Sequence, residues 1–241
     1  MKNLENPSEK IIVALDGMNK NNVLNLLEKI PEIMWVKVGL ELFVSEGPDV
    51  LSILRDKGKK IFLDLKFHDI PTTVERACFA AAQTGAQLIS LHTCAGTKAL
   101  KMANEAANEG AAKVNLTPPT LLGITILTSW TQESFISDLL IDHSINQRVR
   151  HLSEIALNSG LGGCVCSPRE VQSLRKICPE TFELVTPGIR ALGSDFNDQS
   201  RVSDASEAIK MGASRLVIGR AITQSHDPAY MFKSFCEKVI V

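Results

Sequence analysis

Four charged residues interrupt apolar runs of the sequence and could form a reaction centre. Asp64 and Lys66 stand two apart in KIFLDLKF, Lys37 lies in WVKVG, and Asp16 follows IIVAL. A charge inside a protein is costly unless it is paired, so we expect the two carboxylates and the two ammonium groups to alternate in one network. A lysine between two carboxylates keeps its proton at neutral pH, because opposite charges favour its ionised form.

A protonated lysine is suited to donating a proton and poorly suited to attacking a carbonyl as a Schiff-base amine. The pattern therefore favours a reaction whose difficult intermediate is a carbanion. A structural ion-pair cluster is the alternative interpretation, and it is the better one for any single pair of this kind. Four such charges at the functional end of one fold instead favour an active site, because coupled titratable groups are what active sites contain.

The elements that must position these charges form a repeating pattern. Eight short apolar or β-branched runs are each followed by a longer stretch, several of them with helical periodicity, as expected of βα units joined in parallel. The predicted strands are 11–16, 35–39, 60–66, 87–92, 121–129, 163–167, 182–186 and 215–219. The predicted helices include 22–30, 74–84, 97–110, 147–159, 203–211 and 228–240.

Glycines and prolines mark the expected helix ends. Pro168 and Pro228 stand where a first helical turn begins. A glycine follows several of the apolar-periodic stretches, where a residue at positive φ is wanted. These glycines are Gly58, Gly85, Gly110, Gly160 and Gly212.

Eight βα units in 241 residues predict one (β/α)8 barrel domain over residues 1–241. A doubly wound open sheet is the alternative. No G-x-G-x-x-G motif follows the first predicted strand, which disfavours a dinucleotide-binding sheet.

In such a barrel the functional residues lie at the carboxyl ends of the strands. Side chains alternate along a strand, so Asp64 and Lys66 should face one way while Leu63 and Leu65 face the other. The helix-facing surface is apolar. We therefore expect the charged side chains to face the mouth of the barrel.

A second polar cluster follows the seventh and eighth predicted strands. It comprises the segment 187–190 (PGIR), Gln199 and the pair Gly219-Arg220. The loops after these two strands form the recurrent phosphate site of the fold, with backbone N–H groups and a helix terminus as donors. Arginine adds a planar fork that matches phosphate. We predict that Pro187, Arg190, Gly219 and Arg220 surround a phosphate group.

The remaining composition limits the classes of partner and location. Twenty-six basic and 27 acidic residues nearly cancel, so no global field would gather nucleic acid or anionic lipid. The N-terminal segment is polar, and no apolar run reaches the length of a membrane span, so we expect a cytoplasmic protein. The six cysteines are scattered and lack the spacing of a zinc site, which favours reduced, mostly buried thiols.

The segment 64–73, DLKFHDIPTT, resembles the signature D-x-K-x-x-D-I-x-x-T of the bacterial orotidine 5'-monophosphate decarboxylase family. Further elements of that family stand in the same order along the chain. They are Asp16, Lys37 in VKVG, 127–129 (LTS), 185–190 (VTPGIR), Gln199 and 217–220 (VIGR). The resemblance covers essentially the whole chain, and it implies a (β/α)8 barrel that converts orotidine 5'-monophosphate to uridine 5'-monophosphate without a cofactor or metal.

The resemblance also implies a role for each residue of the charged cluster. Lys66 would be the general acid that protonates C6 of the pyrimidine after carbon dioxide leaves. Asp64 would lie beside the scissile carboxylate, and Lys37 would link Asp64 to the ribose hydroxyls. Asp16 would bind a ribose hydroxyl.

Other residues would bind the base, the phosphate or a second subunit. Thr128 would hydrogen-bond the pyrimidine and Gln199 would bridge base and phosphate. Arg220, Arg190 and the N–H of Gly219 would hold the phosphate. Asp69, with Ile70 and Thr73, would complete the site of the other subunit, which implies a homodimer with shared active sites.

Two other functions fit parts of the pattern. A 3-keto-L-gulonate 6-phosphate decarboxylase shares the D-x-K-x-x-D core but uses magnesium, and Lys37 and Lys66 would make this cluster a poor magnesium cage. A phosphate-binding barrel without catalysis is the other alternative, disfavoured because every proposed chemical group is present. His68 and His92 are interpreted as packing or supporting residues, since no partner for either is identifiable in the sequence.

Overall fold

A computed structural model describes residues 6–189 and 204–240. Eight parallel strands close into a barrel in chain order, β1 to β8. The strands are β1 Ile11–Ala14, β2 Trp35–Gly39, β3 Lys60–Phe67, β4 Leu88–His92, β5 Thr120–Ile124, β6 Gly163–Val165, β7 Glu183–Thr186 and β8 Arg215–Ile218. The predicted (β/α)8 barrel is confirmed, and the open-sheet alternative is wrong.

Helices connect the strands on the outside of the barrel. The α-helices are α1 Lys20–Lys29, α2 Leu40–Glu46, α3 Asp49–Asp56, α4 Pro71–Ala82, α5 Thr97–Lys113, α6 Gln132–Leu139, α7 Ile145–Asn158, α8 Pro168–Arg175, α9 Ala205–Lys210, α10 Arg220–Thr223 and α11 Pro228–Lys238. Short 3-10 helices cover Pro7–Lys10 and Thr93–Ala95. In the described part of the chain, no helix combines the length and the apolar character needed to cross a membrane.

Strand alternation divides the apolar residues into two cores. Outward side chains such as Val13, Val36 and Leu63 pack against the helices in the larger core. Inward side chains such as Ile12 and Phe62 fill the barrel interior. The filled interior leaves the strand ends as the place where a ligand site can form.

Several strands, among them the first and the fifth, end earlier than their sequence patterns predict. The predicted fifth strand, 121–129, ends at Ile124, and the side chain of Thr125 donates a hydrogen bond to the carbonyl of Val165 at 2.9 Å. Strand pairing cannot continue there because β6 ends at Val165. Thr128 therefore lies in a loop, and Asp16 lies two residues beyond the end of β1.

Four of the five predicted helix-terminal glycines have positive φ, at positions 58, 85, 160 and 212. The prediction for Gly110 is wrong, since this glycine lies inside α5, which continues to Lys113. A Cβ atom at Gly110 would come within 2.3 Å of the carbonyl oxygen of Phe79 on α4. Gly110 thus permits close packing of two helices and does not end one. The starts of α8 and α11 at Pro168 and Pro228 are as predicted.

Candidate active site

The four charged residues singled out in the sequence form one chain of contacts at the carboxyl ends of β1, β2 and β3. The Nζ of Lys37 lies 2.7 Å from Oδ2 of Asp16 and 3.4 Å from Oδ2 of Asp64. The Nζ of Lys66 lies 2.8 Å from the same Oδ2 of Asp64. Carboxylates and ammonium groups therefore alternate in the order Asp16, Lys37, Asp64, Lys66, which we call the charged chain.

Burial differs along the charged chain. Lys37 and Asp64 are buried, whereas the side chain of Lys66 keeps 30% of its surface exposed and that of Asp16 keeps 46%. Burial alone would raise the pKa of Asp64, but the charges of Lys37 and Lys66 and hydrogen bonds from Lys66 and Ser90 outweigh it and leave this pKa below its usual value. Asp64 is thus held as an anion between two cations, with Lys66 the more accessible of the two.

The backbone at Lys66 departs from a regular strand. Its φ is 51°, in the left-handed region that few non-glycine residues adopt. The pairing of β3 with β4 shifts register between Leu63 and Phe67, as at a bulge. The simple alternation used to orient Lys66 therefore does not hold over these residues, although the side chain of Lys66 still meets Asp64.

Two residues that support the charged chain were missed by the sequence analysis. The hydroxyl of Ser90 on β4 donates to Oδ1 of Asp64 at 2.8 Å. A Cβ atom at Gly39 would lie 2.2 Å from Oδ1 of Asp16 and 2.8 Å from Nζ of Lys37. The glycine that ends the WVKVG run was a usable signal for such close packing, whereas nothing in the sequence marks Ser90.

The charged chain opens into a cavity of about 850 Å³ at the barrel mouth. This volume is within the range of small-molecule sites. Residues predicted for the site line it from strand ends and from the segments that follow them: Asp16, Lys37, Asp64, Lys66, Thr128, Pro187, Gly219 and Arg220. The loops after β7 and β8 thus share one cavity with the charged chain. Glu41 and Gln224 also line the cavity and were not predicted.

Glu41 fixes the loop that carries Asp16. Its Oε2 accepts a hydrogen bond from the backbone N–H of Gly17 at 3.1 Å, and Gly17 has a φ of 73°. Glu41 lies in the first turn of α2, where a negative side chain is favoured by the helix dipole. The loop after β1 is therefore attached to the helix that follows β2.

Some predicted residues do not line the cavity of their own chain. Asp69, Ile70 and Thr73 lie on an exposed surface after β3, and Ile70 keeps 65% of its surface exposed. The Oδ1 of Asp69 accepts from the N–H of Ile70 at 2.6 Å. Arg190 and Gln199 lie outside the described residues.

The two histidines near the mouth lie against each other. The ring centres of His68 and His92 are 5.2 Å apart. Burial, with the nearby His68 and Lys66, lowers the pKa of His92 to about 4, so its ring is neutral near pH 7. Over residues 6–189 and 204–240, no cluster of three or more histidine, cysteine or acidic side chains could hold a metal ion. All six cysteines are free thiols, and burial raises the pKa of Cys78 to about 12.

A closed parallel barrel with coupled charged groups in a cavity at its carboxyl-end mouth defines a (β/α)8-barrel enzyme. Comparison with known proteins identifies the family within this class. The model of the Orotidine 5'-phosphate decarboxylase / HUMPS family matches residues 9–235. The chain belongs to this family, as the motif in residues 64–73 predicts.

Individual relatives agree with that assignment. An orotidine 5'-phosphate decarboxylase of Prochlorococcus marinus (strain NATL2A) is 82% identical over 241 residues, which cover 100% of both chains. Another, from strain MIT 9211, is 56% identical over 236 residues and 98% of each chain. The crystal structure of orotidine 5'-phosphate decarboxylase from Lactobacillus acidophilus superposes with a TM-score of 0.86 at 33% identity, covering 97% of this chain and 100% of that one.

Proposed function

We propose that this protein decarboxylates orotidine 5'-monophosphate to uridine 5'-monophosphate, the last step of de novo pyrimidine nucleotide synthesis. The observation that carries the proposal is the charged chain, in which Lys66 lines the cavity and contacts Asp64, and Asp64 contacts Lys37. The names of the relatives, up to 82% identical over the full chain, support the same substrate.

Lys66 is the general acid of the proposed reaction. When the bond between C6 and the carboxylate breaks, carbon dioxide leaves and the electron pair stays on C6. The ring delocalises this pair poorly, so a preorganised cation beside C6 stabilises it in a way that water cannot. The Nζ of Lys66 then gives a proton to C6, and water from the cavity returns a proton to the amine.

Asp64 keeps Lys66 in place, and Lys37 in turn contacts Asp64. Oδ2 of Asp64 accepts a hydrogen bond from Nζ of Lys66 at 2.8 Å, which fixes the position of the ammonium group. The Nζ of Lys37 also lies 2.7 Å from Oδ2 of Asp16, which is half exposed in the cavity. Asp16 can therefore accept a hydrogen bond from a ribose hydroxyl. The same four side chains thus hold the sugar and stabilise the charge at C6.

The loops after β5, β7 and β8 bind the rest of the nucleotide. Thr128 faces the cavity from the loop after β5 and hydrogen-bonds the pyrimidine. Pro187, Gly219 and Arg220 also line the cavity and hold the phosphate, together with Arg190 and Gln199 from the segment outside the described residues. Phosphate contacts far from C6 supply binding energy that helps to order the reacting centre.

The donor set supports a reaction without a metal. Oδ2 of Asp64 already contacts Lys37 and Lys66, and its Oδ1 accepts from Ser90. Magnesium prefers oxygen ligands free of competing cations. The magnesium-dependent sugar-acid decarboxylase is therefore the weaker proposal. The near balance of basic and acidic residues supports a small-molecule substrate over a nucleic acid.

The proposal includes a homodimer in which each site uses Asp69, Ile70 and Thr73 of the other subunit. The support is that these residues are exposed after β3, and that the large apolar side chain of Ile70 faces solvent in the single chain. Mixing an inactive Lys66→Ala variant with an inactive Asp69→Ala variant tests the sharing of sites. Random exchange of subunits should restore about a quarter of wild-type activity, because half of the dimers then hold one intact site. No restoration after proven exchange would show unshared sites.

The reaction is tested with purified protein treated with EDTA and mixed with orotidine 5'-monophosphate, and the ultraviolet absorbance is followed. We expect turnover without metal, and loss of about 10³-fold or more in kcat for Lys66→Ala, since the variant lacks both a general acid and a charge stabiliser. Lys60→Ala is the matched control, because Lys60 lies on the same strand at the other end of the barrel. Absence of turnover by the folded wild type, or turnover of 3-keto-L-gulonate 6-phosphate with magnesium instead, would overturn the proposal.

A further inference from the structure

Ser90, on strand β4, contacts both Asp64 and Lys66 of the neighbouring strand β3. It is 0% exposed, and it follows Leu88, an inward-facing residue of the same strand, by two positions. Its Oγ is 2.8 Å from Oδ1 of Asp64 and 3.0 Å from the backbone nitrogen of Lys66. One small side chain therefore contacts both the carboxylate and the main chain of the lysine that the proposed reaction uses.

The direction of both hydrogen bonds is fixed by chemistry. An ionised carboxylate can only accept and a backbone N–H can only donate, whereas a hydroxyl can do both. The N–H of Lys66 thus donates to the Ser90 oxygen, and the Ser90 hydroxyl donates to Asp64. Alanine or valine at this position can form neither bond.

Each bond meets a local need. Oδ2 of Asp64 is held by Lys37 and Lys66, so a donor to Oδ1 fixes the rotation of the carboxylate plane. The bulge in β3 interrupts regular pairing with β4 at Lys66, and the φ of 51° there is strained for a residue with a side chain. The Ser90 oxygen takes the place of the missing backbone acceptor and holds that conformation.

We propose that Ser90 is a positioning residue for the decarboxylation, which fixes Asp64 and the strained backbone of Lys66 so that the ammonium group stays aimed at C6. The inference rests on the proposed function. Ser90 does not line the cavity described above, so it acts through Asp64 and Lys66 and does not touch the substrate.

Two pairs of variants isolate the hydroxyl. Ser90→Ala removes it with little change in volume, and Ser153→Ala is the control, since Ser153 is equally buried but bonds within α7 to the carbonyl of Val149. Ser90→Thr and Ser90→Val have nearly the same shape and differ in the hydroxyl. Any strain from the added methyl groups is common to this second pair.

We expect kcat of Ser90→Ala to fall about 10- to 100-fold, the scale of a lost hydrogen bond to a charged group. KM should change less than about threefold if only the reacting centre is disturbed. Ser90→Thr should keep a higher kcat than Ser90→Val. The thermal midpoints of Ser90→Ala and Ser153→Ala should be similar, so that the loss of rate does not reflect unfolding.

The pH profile separates positioning from general structural support. The charged and titratable groups around Asp64 are Lys37, Lys66 and His92, and Asp16 contacts Lys37 in turn. Ser90→Thr and Ser90→Val leave all four of these residues unchanged. Loss of the Ser90 hydrogen bond raises the pKa of Asp64. The acid limb of the kcat profile should therefore lie at higher pH in Ser90→Val than in Ser90→Thr.

The outcomes are distinct for the two proposals. If the wild type does not turn over orotidine 5'-monophosphate, the proposed function itself fails. If the wild type is active, two results would overturn the role of Ser90. One is a Ser90→Ala variant with the wild-type kcat and acid limb. The other is an identical kcat and acid limb in the Thr and Val variants.

Discussion

The two ends of strand β3 each carry a lysine in a network of alternating charge, and the two networks differ in what they face. At the amino end, Lys60 contacts Glu9 at 2.6 Å, and the indole N–H of Trp35 donates to the same carboxylate at 2.7 Å. Arg215 lies over the Trp35 ring at 4.3 Å and pairs with Glu183 at 2.8 Å. At the carboxyl end, Lys66 completes the charged chain and opens into the large cavity.

Contact distances alone do not separate these networks, since both contain ion pairs shorter than 3 Å. The difference lies in the aromatic ring and in the size of the adjacent cavity, which is about 350 Å³ beside Glu9 and Arg215 and about 850 Å³ at the carboxyl end. At the amino end the cations stack on Trp35, which is buried in the barrel interior. Such a network stabilises the amino end of the barrel. At the carboxyl end the cavity leaves Lys66 able to meet a ligand.

The sharpest test of this comparison replaces one acid at each end by its amide. Asp64→Asn should lower kcat about 10²- to 10³-fold, since removing one partner of a buried ion pair leaves the others uncompensated. Glu9→Gln should leave kcat within about threefold, because its partners lie at the other end of the barrel. Steady-state rates and thermal melts of both variants provide the measurement. Equal losses of kcat would mean that the two ends are not functionally distinct.

The same contrast explains what the sequence could predict. The order and type of the strands follow from eight apolar runs, and the charges at their ends are visible because they interrupt those runs. Asp16, Lys37, Asp64 and Lys66 could therefore be placed together from the position of each on its strand. The amino-end network was not predicted, since Glu9 precedes β1 and Arg215 begins β8, and neither belongs to a pattern that marks an ion pair.

The bulge at Lys66 and the contact of Ser90 could not be predicted, because both depend on how β3 and β4 shift against each other. The pattern of apolar residues in one sequence shows the alternation of side chains along a strand, but it does not show the register in which that strand pairs with its neighbour. Gly110 shows the same limit, since a glycine near an expected helix end also suits a close crossing of two helices, and only the packing of α4 on α5 decides between them.

Arg215→Ala tests the amino end by stability. The variant loses the stack on Trp35, the pair with Glu183 and a 2.6 Å hydrogen bond to the carbonyl of Glu9. We expect the free energy of unfolding to fall by about 2 kcal/mol, from the cation–π contact and the charged hydrogen bonds together, with kcat unchanged. Chemical denaturation measures the free energy of unfolding, and steady-state rates measure kcat.

Arg150→Ala is the control for removal of an arginine. Arg150 pairs with Glu154 on the exposed surface of α7, and such pairs contribute about 0.3–0.5 kcal/mol. A loss in Arg215→Ala no larger than that in Arg150→Ala would contradict a stabilising role for the amino-end network.

The smallest expected effect is a difference between the two ends in how stability depends on pH. The pKa of His92, near the mouth, falls from 6.5 to about 4 on burial, so between these values the unfolded chain binds a proton that the folded chain does not. The contribution of neutral His92 to the free energy of unfolding is fully present above pH 6.5 and is lost as the pH falls to about 4. Carboxyl groups with a lowered pKa lose their contribution as pH falls below their usual values, which are 4.5 for Glu9 and 3.8 for Asp64.

Denaturation curves at pH 7, 5.5 and 4.5 should therefore show a decline in the wild type that His92→Gln reduces and Glu9→Gln leaves in place. His92 is only partly buried, so the decline should be modest beside the effect of Arg215→Ala. A decline of the same size in His92→Gln would mean that His92 is protonated in the folded protein. The pH dependence of stability would then not distinguish the two ends, and the contrast would rest on the ion pairs alone.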